Sequence, residues 1–277
     1  MYVLADPLAF IIRPIYNLIQ NYGLTLIIVT ILIRLITIPL TVMSQKSVAK
    51  TQLIQPEMLK IQEKYKNDKN KQSIELQKLY QKHNVNPLGG CLPLIVQMLV
   101  LFGFIGVIYN PLEYILQFSK EQISAISEAV GAKVSTYQVT LCGMEGVKEQ
   151  IIALGKKPID FNFFGINLTM MPKGNEKDLM MWIFPALAVI ATVISGYITK
   201  LQTPQPAPSR NGEVPPPNMA DSMLKIMPVM TAIFTYTMPV GMSLYWFVST
   251  AFQILQQTVI NKIINKKVKE EIEGKRK

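Results

Sequence analysis

Residues 22–42 read YGLTLIIVTILIRLITIPLTV, an apolar run whose only charged side chain is Arg34. A helix needs about 20 mostly apolar residues to cross a hydrocarbon core of roughly 30 Å, and it pairs its own backbone groups there. The stretch therefore predicts a transmembrane helix over residues 22–42 that carries a charge near the middle of the bilayer.

The chain as a whole has the composition of a membrane protein. Its 277 residues are 49% hydrophobic and 17% charged, and the two kinds are segregated into long apolar runs and polar stretches. Four further segments are long and apolar enough to be spans, at residues 88–109, 179–199, 222–238 and 241–261. Residues 226–261 form one uncharged run, which as a single helix would be about 54 Å long at about 1.5 Å per residue. Since this is too long for the bilayer, Pro239-Val240-Gly241 is predicted to turn the chain into a tight helical hairpin.

Basic residues in the connections predict the orientation, because short basic loops stay in the cytoplasm. Residues 43–86 contain nine lysines against four acidic residues, and the tail at residues 262–277 contains seven basic residues against three acidic ones. The external loop at residues 110–178 carries seven basic and eight acidic residues, and long loops translocate largely regardless of charge. These counts predict an all-α membrane protein with five transmembrane helices, N-out and C-in, whose Pro-rich connection at residues 200–221 is also cytoplasmic.

Residues 43–86 are predicted to form an amphipathic helical hairpin in the cytoplasm. Two apolar stripes at helical spacing support this, one of Ile54, Met58, Ile61 and Tyr65 and one of Leu76, Leu79 and Tyr80. The polar stretch KNDKN at residues 66–70 separates the stripes as a turn. The alternative, a solvated charged loop, does not account for the stripes. The lysines of this predicted hairpin are Lys46, Lys50, Lys60, Lys64, Lys66, Lys69, Lys71, Lys78 and Lys82.

Residues 1–21 precede the first span. Within them, residues 8–20 are apolar but short and are interrupted by Arg13-Pro14, which predicts an amphipathic helix lying in the membrane interface. A cleaved signal peptide is the alternative, but the stretch has no basic leading region, no clear small-residue cleavage site and no lipid-accepting cysteine. We expect it to remain uncleaved.

Arg34 is the residue most indicative of function. An arginine at the centre of a transmembrane helix costs roughly 3 kcal/mol on insertion scales, so such residues usually face a bundle interior or a water-filled cavity. The predicted spans contain no aspartate or glutamate to neutralise it. One interpretation is an arginine that only hydrogen-bonds to carbonyls and polar side chains. The interpretation we favour is a hydrated cavity that attracts anionic groups.

Polar residues on the other spans are candidates to line such a cavity. They are Gln97, Thr192, Ser195, Thr231, Thr235, Tyr245, Trp246, Gln253, Gln256 and Gln257. Ser, Thr and Gln also commonly link helices in lipid, and an interfacial anchor is the alternative role of Trp246.

The chain offers no constellation for metal binding or covalent catalysis. Cys91 lies in an apolar run and Cys142 in a polar loop, without CxxC spacing, and His83 is the only histidine. The spans contain neither an aspartate pair nor a histidine to activate a serine. We therefore predict neither an enzyme nor a metal or other cofactor.

Three stretches resemble the signature sequences of the YidC/Oxa/Alb-type membrane protein insertases. They are IRLITIPLT at residues 33–41, QPEMLKIQEKYKNDKNKQSIELQKLYQKHNVNPLGGCLPLIVQ at residues 55–97, and PVGMSLYWFVSTAFQILQQ at residues 239–257. The chain is similar to the shorter Gram-positive type of bacterial member. The resemblance implies a five-helix bundle with a hydrophilic groove that is open to the cytoplasm and to lipid and closed toward the outside. Arg34, Gln97 and Trp246 match groove positions of the family.

The resemblance also implies a function and partners. Nascent membrane proteins would be captured at the Lys-rich hairpin and passed through the groove into the lipid bilayer of the bacterial plasma membrane, with or without the Sec translocon. The basic tail resembles tails that approach ribosomal RNA, as attraction to a polyanion allows. We expect the chain to function as a monomer.

A rival interpretation is a small-solute or anion transporter or channel with Arg34 as its ligand site. Five spans without a visible inverted repeat argue against it, as does a long amphipathic hairpin between the first two spans.

Overall fold

The computed structural model describes residues 5–86, 92–133, 137–202 and 219–275 of the chain. Most of the Pro-rich connection, Cys91 and the first residues of the predicted 88–109 span lie outside the described residues. The described residues are mostly helical, as the sequence predicts.

The long helices are α1 (Ala5–Ile19), α2 (Tyr22–Ile36), α3 (Ile38–Lys64), α4 (Lys69–Lys82), α5 (Leu92–Tyr109), α10 (Ile183–Gln202), α11 (Met219–Thr237) and α12 (Val240–Lys275). The predicted external loop contains the shorter helices α6 (Pro111–Tyr114), α7 (Lys120–Ala129), α8 (Gln138–Cys142) and α9 (Val147–Ala153), and the strands β1 (Asn162–Phe163) and β2 (Ile166–Asn167). A 3-10 helix at Leu179–Trp182 leads directly into α10.

The chain divides into two compact units. The first contains Met1–Leu35, Gln97–Val193 and Met227–Phe252, and the second contains Ile36–Val96, Ile194–Ile226 and Gln253–Lys277. The long helices α5, α10, α11 and α12 each contribute residues to both units.

The predicted 22–42 helix is interrupted. Helix α2 ends at Ile36, Thr37 is the N-cap of the next helix, and α3 then continues to Lys64. Pro39 lies in the first turn of α3, where its missing N–H is harmless, but its ring would clash with the carbonyl of Leu35 in a continuous helix. The proline therefore separates α2 from α3, and α3 joins the end of the predicted span to the first arm of the predicted hairpin.

Only part of the predicted set of spans passes a length and hydropathy test in the described residues. Residues Leu179–Leu201 pass as one helix of 23 residues with a mean hydropathy of 2.1. The pair Tyr22–Ile36 and Ile38–Thr51 passes when its two parts are taken together, and Ile95–Tyr109 is apolar but shorter. Five spans and the N-out, C-in topology thus remain predictions.

The break between α11 and α12 falls at Met238-Pro239, beside the position where the sequence predicts a turn. The first backbone N–H groups of α12 are satisfied by the loop before α10: Val240 N donates to Met170 O at 2.8 Å and Gly241 N to Leu168 O at 3.0 Å. Helix α12 is longer than the predicted 241–261 span, because it continues through most of the basic tail to Lys275.

Helix α1 packs against the core of the first unit with one face. Ala5, Leu8, Ala9, Ile12 and Tyr16 are buried there. The opposite face exposes two further apolar side chains, Phe10 and Leu18. The structure places the helix at Ala5–Ile19 and carries it through Pro14.

A small β hairpin adds to the predicted all-α fold. Asn162 pairs with Asn167 and Phe163 with Ile166 in antiparallel register. The two turn residues, Phe164 and Gly165, have φ values of 52° and 80°, as a two-residue hairpin turn of the primed type requires. Strands of two residues are too short to produce a recognisable alternating pattern in the sequence.

In the second unit, α3 and α4 form the predicted helical hairpin. Ile54, Leu79 and Val85 form its buried cluster, against which Met58, Ile61 and Tyr80 pack. The turn between the helices ends at Asp68, whose carboxylate accepts a hydrogen bond from Lys71 N at 2.9 Å.

Candidate functional site

Arg34 lies in the last turn of α2 and is partly buried. Its guanidinium donates two hydrogen bonds to Ser249 Oγ on α12, from Nε at 3.1 Å and from Nη2 at 2.5 Å. Ser249 is only 3% exposed. A serine hydroxyl carries no charge, so this contact orients the guanidinium without neutralising it.

Gln97 and Tyr245 form a second polar contact in the same unit. The side-chain amide of Gln97 on α5 donates to the Tyr245 hydroxyl at 3.0 Å. Tyr245 is 2% exposed, and its ring stacks on Phe104 with 4.2 Å between centroids. The stacking fixes the ring, so the hydroxyl is held at a defined position.

The two contacts belong to one network. Tyr245 and Ser249 are one turn apart on α12, so both side chains lie on the same face of that helix. Gln97, Tyr245, Ser249 and Arg34 therefore connect α5, α12 and α2 through polar side chains within otherwise apolar helices. At one end of this network is the Arg34 guanidinium, a cation whose direction is fixed by Ser249. A cation held in this way is suited to transient contact with an anionic group.

Sequence reasoning did not include Ser249 among the candidates. The signal was available, because residues 245, 249, 253 and 256 recur at three- and four-residue spacing along the same helix. A lone serine in an apolar run is common, and only the position of Arg34 shows that this one has a specific partner.

Three predicted lining threonines in the first unit bond to their own helices instead. Thr192 Oγ1 donates to Ala188 O at 2.8 Å, and Thr231 and Thr235 make the same bond one turn back along α11. All three are buried. The structure does not bring them into the Arg34 network, because the backbone carbonyl four residues earlier is the nearer acceptor.

Trp246 is partly buried, and its ring lies beside Phe234 of α11 with 6.1 Å between centroids. This contact joins α11 to α12.

The other four predicted lining residues lie in the second unit. Gln257 donates to Thr199 Oγ1 at 3.1 Å, and Thr199 in turn donates to Ser195 O at 2.9 Å. Ser195, Gln256 and Gln257 are buried, whereas Gln253 is exposed. Thr199 was not predicted, although it follows Ser195 by one turn of α10.

Three buried side-chain atoms on α12 have no hydrogen-bond partner among the described residues. They are Ser243 Oγ in the first unit and Gln256 Nε2 in the second, and Gln257 Oε1, also in the second unit, is a third such atom. A buried polar group without a protein partner usually bonds to water, because leaving it unpaired costs about 1–3 kcal/mol.

The hairpin lysines form a basic, solvent-accessible surface. All nine are exposed except Lys50, which is partly buried. Lys78 pairs with Glu75 at 2.8 Å, and Lys64 and Lys71 lie over the Tyr65 ring at 5.4 and 5.5 Å. The hairpin also exposes Leu53 and Ile74, at 47% and 52%. Its surface is therefore both cationic and apolar.

Comparisons with known proteins cover most of the chain. The family described as 60Kd inner membrane protein matches residues 14–267. A membrane protein insertase YidC of Fusobacterium nucleatum is 29% identical over 255 residues, which are 92% of this chain and 93% of that protein. Proteins of the same name from Wolinella succinogenes and Prosthecochloris aestuarii are 28% and 32% identical over 95% and 91% of this chain. The chain spans only 38% and 36% of the length of those two proteins.

Proposed function

Because this chain belongs to the 60Kd inner membrane protein family, we propose that it is a membrane protein insertase that transfers nascent membrane proteins into the bilayer. The chain is a protein of the bacterial inner membrane. The F. nucleatum relative, which is matched over nearly its whole length, is itself named an insertase. The similarity to these proteins supports membrane insertion as the activity. The residues around Arg34 support the mechanism that we propose for it.

The observation that carries the molecular proposal is the position of Arg34 in an apolar helix, with Ser249 orienting its guanidinium. A short, acidic outer segment of a substrate enters the groove opposite Arg34. The positive charge and nearby water shorten the apolar path that this polar segment has to cross, and so lower the free-energy barrier of translocation. The apolar segment of the substrate then moves sideways into lipid, and no covalent step is needed.

A hydrated interior is part of the proposal. The unpartnered atom Ser243 Oγ supports it, since Ser243 is buried among the described residues of the first unit, which also contains Arg34. Water at this atom would weaken the hydrophobic barrier along α12 without requiring a second buried charge.

The hairpin of α3 and α4 is proposed to receive substrates in the cytoplasm. Its exposed lysines attract the acidic parts of a nascent chain, and its exposed Leu53 and Ile74 contact apolar parts. The basic residues of the tail at 262–277, most of which lies on the helical extension of α12, are proposed to approach the ribosome, whose RNA is a polyanion. The protein is proposed to act as a monomer, alone or beside the Sec translocon.

Reconstituted proteoliposomes test the role of the charge. Arg34→Ala is expected to reduce insertion of a substrate with an acidic translocated segment about tenfold, which corresponds to roughly 1.4 kcal/mol of lost attraction. Arg34→Lys keeps the charge without the guanidinium fork and is expected to retain an intermediate rate. The matched control is the same substrate with its acidic residues changed to Asn and Gln, which should depend little on Arg34. Equal insertion of the acidic substrate by wild type and Arg34→Ala would exclude the charge attraction.

Site-specific crosslinking tests the path. Stalled nascent membrane proteins are expected to crosslink to probes at positions 34, 97 and 246. Ile190 and Val229, which are 54% and 60% exposed on the apolar helices, serve as lipid-facing controls. Crosslinks confined to the control positions would place the path elsewhere. Arginine-dependent anion flux through the purified protein, without insertion, would favour the transporter or channel instead.

A further inference from the structure

A cavity of about 210 Å³ lies in the first unit, at the end of α1. Its apolar floor consists of Tyr16, Ile115 and Leu116, all of which are buried. The volume is far above the roughly 15 Å³ that a single ordered water needs. The cavity therefore has room for a small polar group and is separate from the Arg34 network.

The rim of the cavity is cationic. Lys156 and Lys157 both line it and are both exposed, and no aspartate or glutamate is among its lining residues. Lys157 Nζ donates a hydrogen bond to the Gln20 side-chain oxygen, which holds the ammonium at the rim. The nearest acid in sequence is Asp160, which does not line the cavity and whose carboxylate accepts hydrogen bonds from Asn21 Nδ2 at 3.2 Å and from Asn162 N at 3.0 Å.

Amide side chains add neutral donors to the two cations. Asn17, Gln20 and Gln117 line the cavity. Gln20 and Gln117 both have left-handed backbones, with φ of 55° and 58°. A residue other than glycine in this region costs on the order of 1 kcal/mol, and such strain persists where the surrounding structure fixes it, often at ligand sites. Two cations with several amide donors are the chemistry that binds a phosphate group.

An exposed apolar stripe leads away from this cavity along α1. Phe10 is 78% exposed and Leu18 is 86% exposed, with exposed Pro14 between them at four-residue spacing. The stripe extends for about 12 Å along the helix, at 1.5 Å per residue, and Leu18 directly follows the lining residue Asn17. Phosphate chemistry next to an apolar stripe is complementary to an amphiphile rather than to a free ion.

We propose that this cavity is a binding site for the phosphate headgroup of an anionic phospholipid, with Lys156 and Lys157 contacting the phosphate and the Phe10–Leu18 face of α1 contacting the acyl chains. The inference needs only that the chain lies in a membrane, so it is independent of the proposed insertase activity. Bound lipid fills the cavity and links α1 to the loops after α6 and α9.

Native mass spectrometry of the detergent-purified protein tests the proposal. The full chain is titrated with phosphatidylglycerol, with phosphatidylcholine and with inorganic phosphate. We expect the first phosphatidylglycerol to bind more tightly than phosphatidylcholine, and the Lys156→Gln/Lys157→Gln variant to lose about tenfold in affinity for it. Lys148→Gln/Lys177→Gln removes two equally exposed lysines outside the cavity and should leave the affinity unchanged.

Other results would overturn the proposal. These are equal affinities of the Lys156/Lys157 variant and wild type for phosphatidylglycerol, an equal loss in the Lys148/Lys177 control, and full competition by inorganic phosphate at equal concentration. The last result would mean a soluble-anion site.

Circular dichroism checks that each variant is folded. If the double variant unfolds, Lys156→Gln alone replaces it, with an expected loss of about threefold in affinity for phosphatidylglycerol. Leu18→Ser should weaken lipid binding without affecting binding of inorganic phosphate.

Discussion

Ser249 Oγ accepts hydrogen bonds from both Nε and Nη2 of Arg34, at 3.1 and 2.5 Å, across 215 residues of sequence. A hydrogen bond to a charged group is worth about 1.5–3 kcal/mol, and it also fixes the direction of the guanidinium. Ser249 is therefore a positioning residue for Arg34 in the proposed function.

Ser249→Ala is expected to lower insertion of substrates with acidic translocated segments by about three- to tenfold, because Arg34 keeps its charge but loses its orientation. Insertion into proteoliposomes measures the effect. Ser249→Thr keeps the hydroxyl and is the matched control. In an Arg34→Ala background, Ser249→Ala should have no further effect, and an undiminished second loss there would show that Ser249 acts independently of the arginine.

Tyr245→Phe is expected to lower the thermal unfolding midpoint by about 2–4 °C, since it removes the Gln97 hydrogen bond, worth about 1 kcal/mol, and preserves the Phe104 stack. Scanning fluorimetry in detergent gives the midpoint. Tyr197→Phe removes a hydroxyl from a tyrosine that is 62% exposed and should leave the midpoint unchanged. Equal midpoints for both variants would mean that the Gln97 contact contributes nothing to stability.

Gly23→Ala is expected to destabilise the protein by about 1–3 kcal/mol through overpacking. A Cβ at Gly23 would lie 2.4 Å from Cγ of Phe163, on the β hairpin packed against α2. Gly131→Ala is the comparison, because Gly131 has a φ of 65° but nothing within 4 Å of the position that a Cβ would take, so only about 1 kcal/mol of backbone cost is expected.

Denaturant unfolding of the Gly23 variant is repeated in a Phe163→Ala background. In that background Gly23→Ala should lower the free energy of unfolding much less, because the Phe163 ring that clashes with the new Cβ is absent. An equal loss of unfolding free energy in both backgrounds would mean that Gly23→Ala acts within α2 and not through Phe163.

Cys142 is expected to resist maleimide at pH 8 in a Cys91→Ser background. Burial raises the pKa of the Cys142 thiol to about 12, so its reactive thiolate is scarce at that pH. Because the folded-state pKa lies above the ordinary value of 9.0, this thiol favours the folded state fully below pH 9 and loses that contribution as the pH rises toward about 12. Complete labelling in denaturant is the control, and equally fast labelling of the folded protein would contradict the buried environment.

The apolar segments, the amphipathic hairpin and the choice of Arg34 as a candidate site residue follow from local sequence. A helix in lipid must be apolar over its whole length, and an amphipathic helix must repeat its apolar residues at helical spacing. For this reason Ile54, Ile61 and Leu79 could be predicted to face the interior of the hairpin, and they do so in the second unit.

Contacts between distant helices could not be predicted in the same way. Hydropathy does not distinguish a threonine that bonds to its own backbone, as Thr192 and Thr231 do, from one that faces a partner. The break before α3 was also missed, although Pro39 was visible, because a proline near the end of an apolar run can equally end or kink a helix.

By itself, the sequence determined that this is a helical membrane protein whose first long apolar segment carries a costly charge, Arg34, since the bilayer requires long apolar helices. Only the tertiary structure decided that the charge meets Ser249 and that Gln97 meets Tyr245. The rotation and packing of whole helices set those pairs, and these depend on side chains more than a hundred residues apart along the chain.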